Sequence, residues 1–207
     1  MAQDSVEVLP REESTGNPSP RLILASASPR RRELLSRLGV TPASIEAADI
    51  DENPRPRELP RDYARRMASE KALAVAPCDG FVLAGDTVVA CGRRILPKAE
   101  DQATARACLT LLSGRRHRVL SAIALWGPDG SLRDRLSETV VRFKPLSSQE
   151  IDAYIAGGEW DGKAGGYAIQ GSAEGLIAWI SGSHSGVVGL PLFETRALLK
   201  AAGFAIA

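Results

Sequence analysis

The sequence predicts an α/β fold, in which a mixed, twisted sheet has helices on its flanks. Short apolar runs alternate along the 207 residues with segments of helical periodicity. Two of the later runs are separated by Gly127-Pro128-Asp129-Gly130, a strong turn sequence, which predicts one antiparallel hairpin in the sheet. A chain of this length fits one domain, and we expect that domain to have two lobes.

Six runs of residues are predicted as strands, of which the first is wholly apolar. These runs are residues 22–25, 44–48, 81–90, 117–126, 132–143 and 177–180. The third run contains Gly85-Asp86, so it is predicted either as one strand or as a strand pair interrupted at that point. Strands and helices mixed in this order favour a mixed sheet over separate all-α and all-β parts.

Helix boundaries are predicted from capping residues. Ser28 and Pro29 suit the N-cap and the first helical position, and Gly39 suits the end of the same helix. Ser147 and Glu150 have the spacing of a capping box. The predicted helices are residues 29–38, 62–75 and 101–112, a segment from this capping box to residue 155, and residues 192–202. In the second of these helices, Tyr63, Met67 and Ala74 are expected to face inward.

Composition excludes several classes of protein. Lys and Arg number 26 against 25 Asp and Glu, so no overall basic charge exists to hold a nucleic-acid backbone, and we expect no stable nucleic-acid complex. No apolar run could span a bilayer, and the three cysteines lack C-x-x-C spacing. We therefore expect a cytoplasmic protein without membrane attachment. Residues 1–20 are polar and aperiodic, which predicts a disordered leader before a domain at residues 21–207.

The segment from Ser26 to Arg32 is a candidate anion site. It joins the end of a predicted strand to a helix N-terminus that carries three consecutive arginines. Arginines at this end oppose the helix dipole unless an anion lies between them and the free backbone N–H groups. Arg30 and Arg31 would then bind phosphate oxygens in a bidentate manner, and the alternative is that they are ordinary solvated charges.

Asp86 is the candidate acid. It lies in the apolar run 81–89, where an ionised carboxylate is costly unless a cation or a metal neutralises it. Carboxylates displayed at strand ends are frequent catalytic groups. The alternative is a carboxylate that caps a turn beside Gly85.

Other polar residues have weaker signals. Asp49, Asp51 and Glu52 form an acidic patch that suits a hard cation such as Mg²⁺, although a solvated loop is the simpler interpretation. Lys71 and Lys98 have no local pattern that separates them from surface lysines.

A glycine-rich segment at residues 163–171 could bring its backbone close to a ligand. Within it, Gln170 offers one hydrogen-bond acceptor and two donors. The segment matches neither the P-loop pattern nor the G-x-G-x-x-G fingerprint, and a plain surface loop is the alternative.

Several short motifs follow one another along residues 21–203. They are Ser26-Ala27-Ser28-Pro29-Arg30-Arg31-Arg32-Glu33-Leu34-Leu35, Ile50-Asp51-Glu52, Glu70-Lys71-Ala72, Gly85-Asp86-Thr87-Val88-Val89, Lys98, Leu112-Ser113-Gly114, Lys163-Ala164-Gly165-Gly166-Tyr167 and Val188-Gly189-Leu190-Pro191. Their order and spacing resemble the Maf family. The chain departs from the family pattern at Ala99, where the family usually has proline after the lysine.

The resemblance implies an enzyme that cleaves a nucleoside triphosphate to the monophosphate and pyrophosphate with a divalent metal, Mg²⁺ or Mn²⁺. It also implies a fold similar to that of the inosine triphosphatases, with a central cleft between two lobes, and a homodimer. The family is linked to nucleotide-pool cleansing and to cell-division arrest.

The resemblance also assigns roles to single residues. The implied catalytic residues are Asp86, as proton acceptor, Lys71 and Lys98. The implied metal ligands are Glu52 and Asp86. The implied substrate-binding residues are Ser26, Arg30, Arg31, Thr87 and Gln170, of which Arg30, Thr87 and Gln170 match positions of base choice.

Lys-Ala-Gly-Gly-Tyr followed by Ile-Gln-Gly is similar to the branch of the family that prefers dTTP and UTP. Two alternatives stay open. One is the same reaction on 7-methyl-GTP or another modified nucleotide, and the other is a non-catalytic regulator that binds nucleotide or nucleic acid. Asp86 weighs against the regulator, because a carboxylate facing polyphosphate repels it unless a metal or a reaction requires the charge.

Overall fold

The computed structural model describes residues 20–206, so the predicted leader, apart from Pro20, lies outside the described residues. The main sheet contains β1 (Leu22–Ala25), β2 (Ser44–Ile45), β3 (Phe81–Cys91), β4 (Arg94–Leu96), β6 (Arg116–Trp126), β7 (Leu132–Phe143) and β9 (Ile177–Ser181). A small second sheet pairs β5 (Lys98–Ala99) with β8 (Lys163–Ala164). The order in the main sheet is β2-β1-β3-β6-β7-β9, with β4 also paired to β3. Pairings of β1 are parallel and the others are antiparallel, which confirms the predicted mixed sheet.

Helices cover both faces of this sheet. They are α1 (Pro29–Ser36), α2 (Pro60–Val75), α3 (Gln102–Leu112), α4 (Ser148–Ala156), α5 (His184–Val188) and α6 (Leu192–Ala201), with a 3₁₀ helix at Ser172–Leu176. Alanines of α2 pack on one face, while leucines of α1 and α6 pack on the other. A third cluster packs α3 and α4 against the far end of the sheet. No helix within residues 20–206 is long and apolar enough to cross a membrane.

The predicted N-terminal capping residues act as expected, whereas Gly39 does not end α1, whose C-cap is Arg37. The Ser28 side chain accepts a hydrogen bond from the Arg31 backbone, and Ser147 and Glu150 form the complete capping box. The helix predicted to reach residue 38 ends at Ser36, and the strand predicted at 44–48 has only two residues. The run interrupted by Gly85-Asp86 is one continuous strand, since β6 pairs with it throughout residues 82–90.

The elements that the sequence did not predict are β4, β5, β8, α5 and the 3₁₀ helix. None exceeds five residues, so no hydrophobic period can be recognised within them. Two of them, β5 and β8, nevertheless matter for the site, because they tie the glycine-rich segment to the lysine at position 98.

The main sheet has a gap beside the middle of β3. The parallel pairing with β1 ends where Ala25 meets Ala84, and β4 pairs with β3 only from Val89 onward. Among the described residues, Gly85 to Val88 therefore have a strand neighbour on the β6 side alone. The missing neighbour leaves an opening in the sheet.

Side chains at this gap point to opposite faces of the sheet. Ala84 and Val88 pack in the same cluster as α2, and by alternation Asp86 lies on their face. Thr87 lies on the other face, with Leu83 and the helices α1 and α6. Because no strand covers the edge between them, both polar side chains border the same opening.

A buried histidine ties the glycine-rich segment to the sheet. His117 of β6 is 2% exposed, and its Nε2 lies 2.8 Å from the hydroxyl of Tyr167. Its ring stacks on Phe143, and its Nδ1 has no hydrogen-bond partner among the described residues. Burial lowers the pKa of His117 to about 4. The folded protein therefore holds this ring in its neutral form.

We expect His117 to make stability depend on pH. In the folded protein the pKa of His117 is depressed below its ordinary value of about 6.5. Its contribution to the free energy of unfolding is therefore complete above pH 6.5 and is lost as the pH falls toward 4. The loss amounts to roughly 3 kcal/mol in the free energy of unfolding. Urea denaturation between pH 4 and 7 measures it. His117→Gln should flatten the dependence of the unfolding free energy on pH. The matched control His184→Gln, at an exposed position, should not change it. Equal slopes of unfolding free energy against pH in the wild type and both variants would contradict the prediction.

Candidate active site

The gap in the sheet opens into a cleft of about 300 Å³. This volume is at the lower end of the range of small-molecule sites. All residues to which the family resemblance assigned a catalytic, metal-binding or substrate-binding role line it, namely Ser26, Arg30, Arg31, Glu52, Lys71, Asp86, Thr87, Lys98 and Gln170. They come from segments that are far apart in the chain, so their convergence is a property of the fold.

One wall of the cleft is cationic and is built by the start of α1. The Arg31 guanidinium donates from Nη1 to the hydroxyl of Ser26 at 2.9 Å and from Nε to the carbonyl of Gly189 at 2.9 Å. Gly189 has φ +143°, a conformation that favours glycine, and ends α5 with this carbonyl at Arg31. Arg31 is thus held in place before any ligand binds. Arg30 lines the same wall and is half-buried.

Another part of the cleft lining contains two carboxylates that share one ammonium group. Lys71 Nζ lies 2.7 Å from Asp86 Oδ1 and 2.8 Å from Glu52 Oε1. Lys98 Nζ contacts the other Glu52 oxygen, Oε2, at 2.6 Å. Lys71 and Asp86 are each only 7% exposed, so each supplies the charge partner without which the other would be costly to bury.

The lysine reaches this place because it lies on the buried stripe of α2. Ala64, Ala68, Lys71 and Ala72 are buried at helical spacing, whereas Ala74, which we expected to face inward, is exposed. A charged residue within such a stripe must find a partner in the interior, and Asp86 of the facing strand is that partner.

Only one member of the acidic patch enters the cleft. Glu52 does so, while Asp49 and Asp51 are exposed and Asp51 caps the backbone and side chain of Asn53. The interpretation of all three as one cation site is therefore wrong. Burial tends to raise the pKa of Glu52, but hydrogen bonds from Lys71 and Lys98 outweigh it and lower that pKa to about 2. Glu52 is thus ionised at neutral pH.

The third side of the cleft is the glycine-rich segment. Gly165 has φ +69°, and a Cβ there would lie 2.8 Å from Cγ1 of Val89, so the segment packs directly on β3. Gln170 is exposed at its end and lines the cleft. Thr87 faces the cleft from β3 and shares a 3.1 Å hydrogen bond with Ser121 of β6. This side offers neutral hydrogen-bonding groups, in contrast to the charged walls.

Comparison with known proteins decides the family. The model of the family described as "Maf-like protein" matches residues 21–202. The chain belongs to this family. The match covers the cleft and every element around it, in agreement with the resemblance seen in the motifs.

Relatives of high identity cover most of the Maf-like chain. A protein of Novosphingobium aromaticivorans is 71% identical over 187 residues, which are 89% of this chain and 93% of that protein. Proteins of Sphingopyxis alaskensis and Rhodospirillum rubrum are 62% and 61% identical, over 89% and 88% of this chain and 97% and 88% of their own. Each of the three is named a dTTP/UTP pyrophosphatase.

Solved structures overlap with part of the Maf-like fold. A nucleoside-triphosphatase, or dITP/XTP pyrophosphatase, of Mycobacterium abscessus has a TM-score of 0.39 at 18% identity and covers 62% of this chain and 76% of its own. The Ham1 protein of Staphylococcus aureus has a TM-score of 0.42 at 15% identity, over 59% and 71%.

Sequence analysis missed several groups that shape this Maf-like site. The Tyr63 hydroxyl donates to the backbone carbonyl of Glu52 at 2.6 Å and so holds the acidic loop against α2. Tyr63 precedes Lys71 by two helical turns, a spacing that would have placed both on one face. Lys163 also lines the cleft, and Ser121 supports Thr87. Nothing in the local sequence singles out Ser121.

Proposed function

We propose that the protein is a nucleoside triphosphate pyrophosphatase that hydrolyses dTTP and UTP to the monophosphate and pyrophosphate. The observation that carries the proposal is that arginines, lysines and two carboxylates line the same cleft, with Asp86 at the gap in the sheet. The names of the relatives, at 61–71% identity, support the same activity. A role in cleansing the nucleotide pool and in cell-division arrest belongs to the proposal. The cytoplasmic location and the homodimer stay predictions.

In the proposed reaction Asp86 accepts a proton from the attacking water. Lys71 donates a hydrogen bond to its Oδ1 at 2.7 Å, which fixes the position of the carboxylate in the cleft. General-base catalysis of this kind needs the base within hydrogen-bond reach of the water. Arg31, already oriented by Ser26 and Gly189, would bind phosphate oxygens in the position where it now lies. Preorganisation of this kind lowers the entropic cost of binding the polyphosphate.

The two carboxylates of the cleft lining form a donor set that fits a divalent cation. Glu52 and Asp86 supply carboxylate oxygens, the ligands that Mg²⁺ and Mn²⁺ prefer, and both line one cleft. No group of three or more His, Cys, Asp or Glu that could hold a metal occurs within residues 20–206. Two protein carboxylates are the usual number for a cation that is also held by substrate phosphates. When bound, the metal would offset negative charge on the phosphates.

The proposed activity is tested with purified protein and Mg²⁺ or Mn²⁺. The substrates are dTTP, UTP, CTP, GTP and 7-methyl-GTP, and released pyrophosphate is measured separately from released phosphate. We expect pyrophosphate, with the highest kcat/KM for dTTP and UTP. A preference for GTP or 7-methyl-GTP would refute the substrate assignment and keep the reaction, whereas binding without any turnover would favour the regulator.

We expect Arg31→Ala to weaken dTTP binding about 10- to 100-fold at low ionic strength, because it removes a charge-assisted hydrogen bond to phosphate. The loss should shrink as salt is added, since screening weakens the wild-type contact as well. Isothermal titration with the Asp86→Asn protein as background measures binding without turnover. Arg32→Ala is the matched control, because Arg32 is exposed on the same helix and does not belong to the described cleft lining. Equal affinities for both variants would show that Arg31 does not contact phosphate.

A further inference from the structure

Hydrogen bonds hold the backbone on both sides of Gln170. On one side, the Ala168 backbone N–H donates to the hydroxyl of Tyr154 at 3.0 Å, and Ile169 is buried. On the other side, the Ser172 backbone N–H donates to Oε2 of Glu159 at 2.8 Å. Gln170 lies between these two anchors, and its side chain is exposed to the cleft.

Glu159 supplies the N-terminal cap of the 3₁₀ helix, which the N-cap residue itself cannot provide. The 3₁₀ helix begins at Ser172, and its N-cap residue is Gly171, which has no side chain to satisfy a free backbone N–H. The Glu159 carboxylate, from the turn after α4, accepts that hydrogen bond instead. A carboxylate is favoured at a helix start because of its charge as well as its hydrogen bond.

Position 171 requires glycine because the Glu159 carboxylate packs against it, and not because of its backbone conformation. Its φ of −114° and ψ of −154° are open to any residue. A Cβ at this position would collide with the Glu159 carboxylate and would lie 2.7 Å from its Cδ. The carboxylate therefore packs directly over the residue that follows Gln170, and any side chain at 171 would expel it.

We propose that Glu159 is a positioning residue for base recognition, which sets the place of Gln170 in the cleft. Glu159 does not belong to the described residues that line the cleft, so it acts through the backbone of Gly171 and Ser172. The inference rests on the proposed function. An ordered Gln170 amide can donate to O4 of uracil or thymine and accept from N3–H, a pattern that cytosine reverses. Loss of the anchor lets the amide move, and a misplaced amide no longer separates the two patterns.

The test compares kcat/KM for UTP with that for CTP. We expect the ratio of kcat/KM for UTP to that for CTP to fall about tenfold in Glu159→Ala, toward the value of Gln170→Ala, because one hydrogen bond to the base is worth about that factor. The kcat/KM for CTP should stay close to that of the wild type. Glu159→Gln should keep most of the ratio, since its amide oxygen still accepts from the Ser172 N–H. Glu174→Ala, an exposed acid on the same 3₁₀ helix, is the matched control and should behave as wild type.

A double-mutant cycle makes the test independent of the folding of one variant. Gly171→Ala keeps the charge of Glu159 but expels its carboxylate, so it should lower the ratio as much as Glu159→Ala does. The double variant should be no worse than either single one, because both remove one contact. Unchanged ratios in both single variants, or equal losses for UTP and CTP, would overturn the inference. A wild type that hydrolyses neither UTP nor dTTP would overturn the proposed function itself.

Discussion

Asp86→Asn should lose about 10²- to 10⁴-fold in kcat with dTTP, while the protein stays folded and still binds the nucleotide. The amide has the same shape as the carboxylate but cannot accept the proton of the attacking water. The fold should persist because the amide oxygen can still accept from Lys71, whose other partner, Glu52 at 2.8 Å, is unchanged. Removal of a negative charge from the cleft should leave dTTP binding as tight as in the wild type, or tighter.

Three measurements decide this prediction together. Thermal denaturation reports the fold, titration calorimetry reports dTTP binding, and single-turnover kinetics report the chemical step. Asp79→Asn is the matched control, since Asp79 is an exposed acid just before β3. A folded Asp86→Asn protein with near wild-type kcat would remove Asp86 from the proposed mechanism.

Lys71→Met should cost about 3 kcal/mol in the free energy of unfolding at neutral pH. Removing one partner of a buried ion pair leaves an uncompensated charge, and Lys71 and Asp86 are both 7% exposed. The cost should depend on pH. In the wild type the pKa of Glu52 is lowered to about 2, so its contribution to stability is present above about 4.5 and is lost as pH falls toward 2. The difference in the free energy of unfolding between Lys71→Met and the wild type should therefore become smaller at acid pH.

Lys98→Met is the control for this prediction. Lys98 pairs with the same carboxylate at 2.6 Å, but its side chain is 54% exposed, and exposed pairs contribute about 1 kcal/mol or less. Urea denaturation of the three proteins at pH 7 and pH 3 gives both comparisons. If Lys71→Met were as stable as Lys98→Met at pH 7, or if its loss were the same at pH 3, the ion pair would not carry the stability assigned to it.

Much of the fold was predictable, because the longer helices and strands show a recognisable hydrophobic periodicity in the sequence. The hairpin of β6 and β7 and the helices α2, α3 and α6 were found from apolar spacing and capping residues. The short elements were missed because they contain no full hydrophobic period, and β2 was predicted too long because only Ser44 and Ile45 of residues 44–48 pair with β1. The continuity of β3 through Gly85-Asp86 depends on pairing with β6, a contact between distant segments.

The site was predictable to different degrees for different residues. Asp86 was recognisable from the sequence alone, because a charge within an apolar run demands a partner. Lys71 had a comparable signal, a lysine at a buried position of the α2 period, but the stripe was misjudged at Ala74. Composition and local pattern could not separate Glu52 from Asp51, and only the family resemblance singled out Glu52. In the structure, the tertiary contacts with Lys71 and Lys98 distinguish it. Glu159 left no local signal, because its partner is a backbone N–H thirteen residues away.

The gap beside β3 has a consequence for how this cleft responds to mutagenesis. Between the ends of β1 and β4, and within the described chain, main-chain N–H and C=O groups of Gly85 to Val88 on that edge have no strand to pair with. Such groups need a partner, which is solvent when the cleft is empty and an incoming molecule when it is filled. No side-chain substitution removes them. Alanine substitutions in the cleft should therefore leave a residual binding affinity that comes from main-chain hydrogen bonds. Only substitutions that change the backbone itself, such as proline at these positions, can remove this residual affinity.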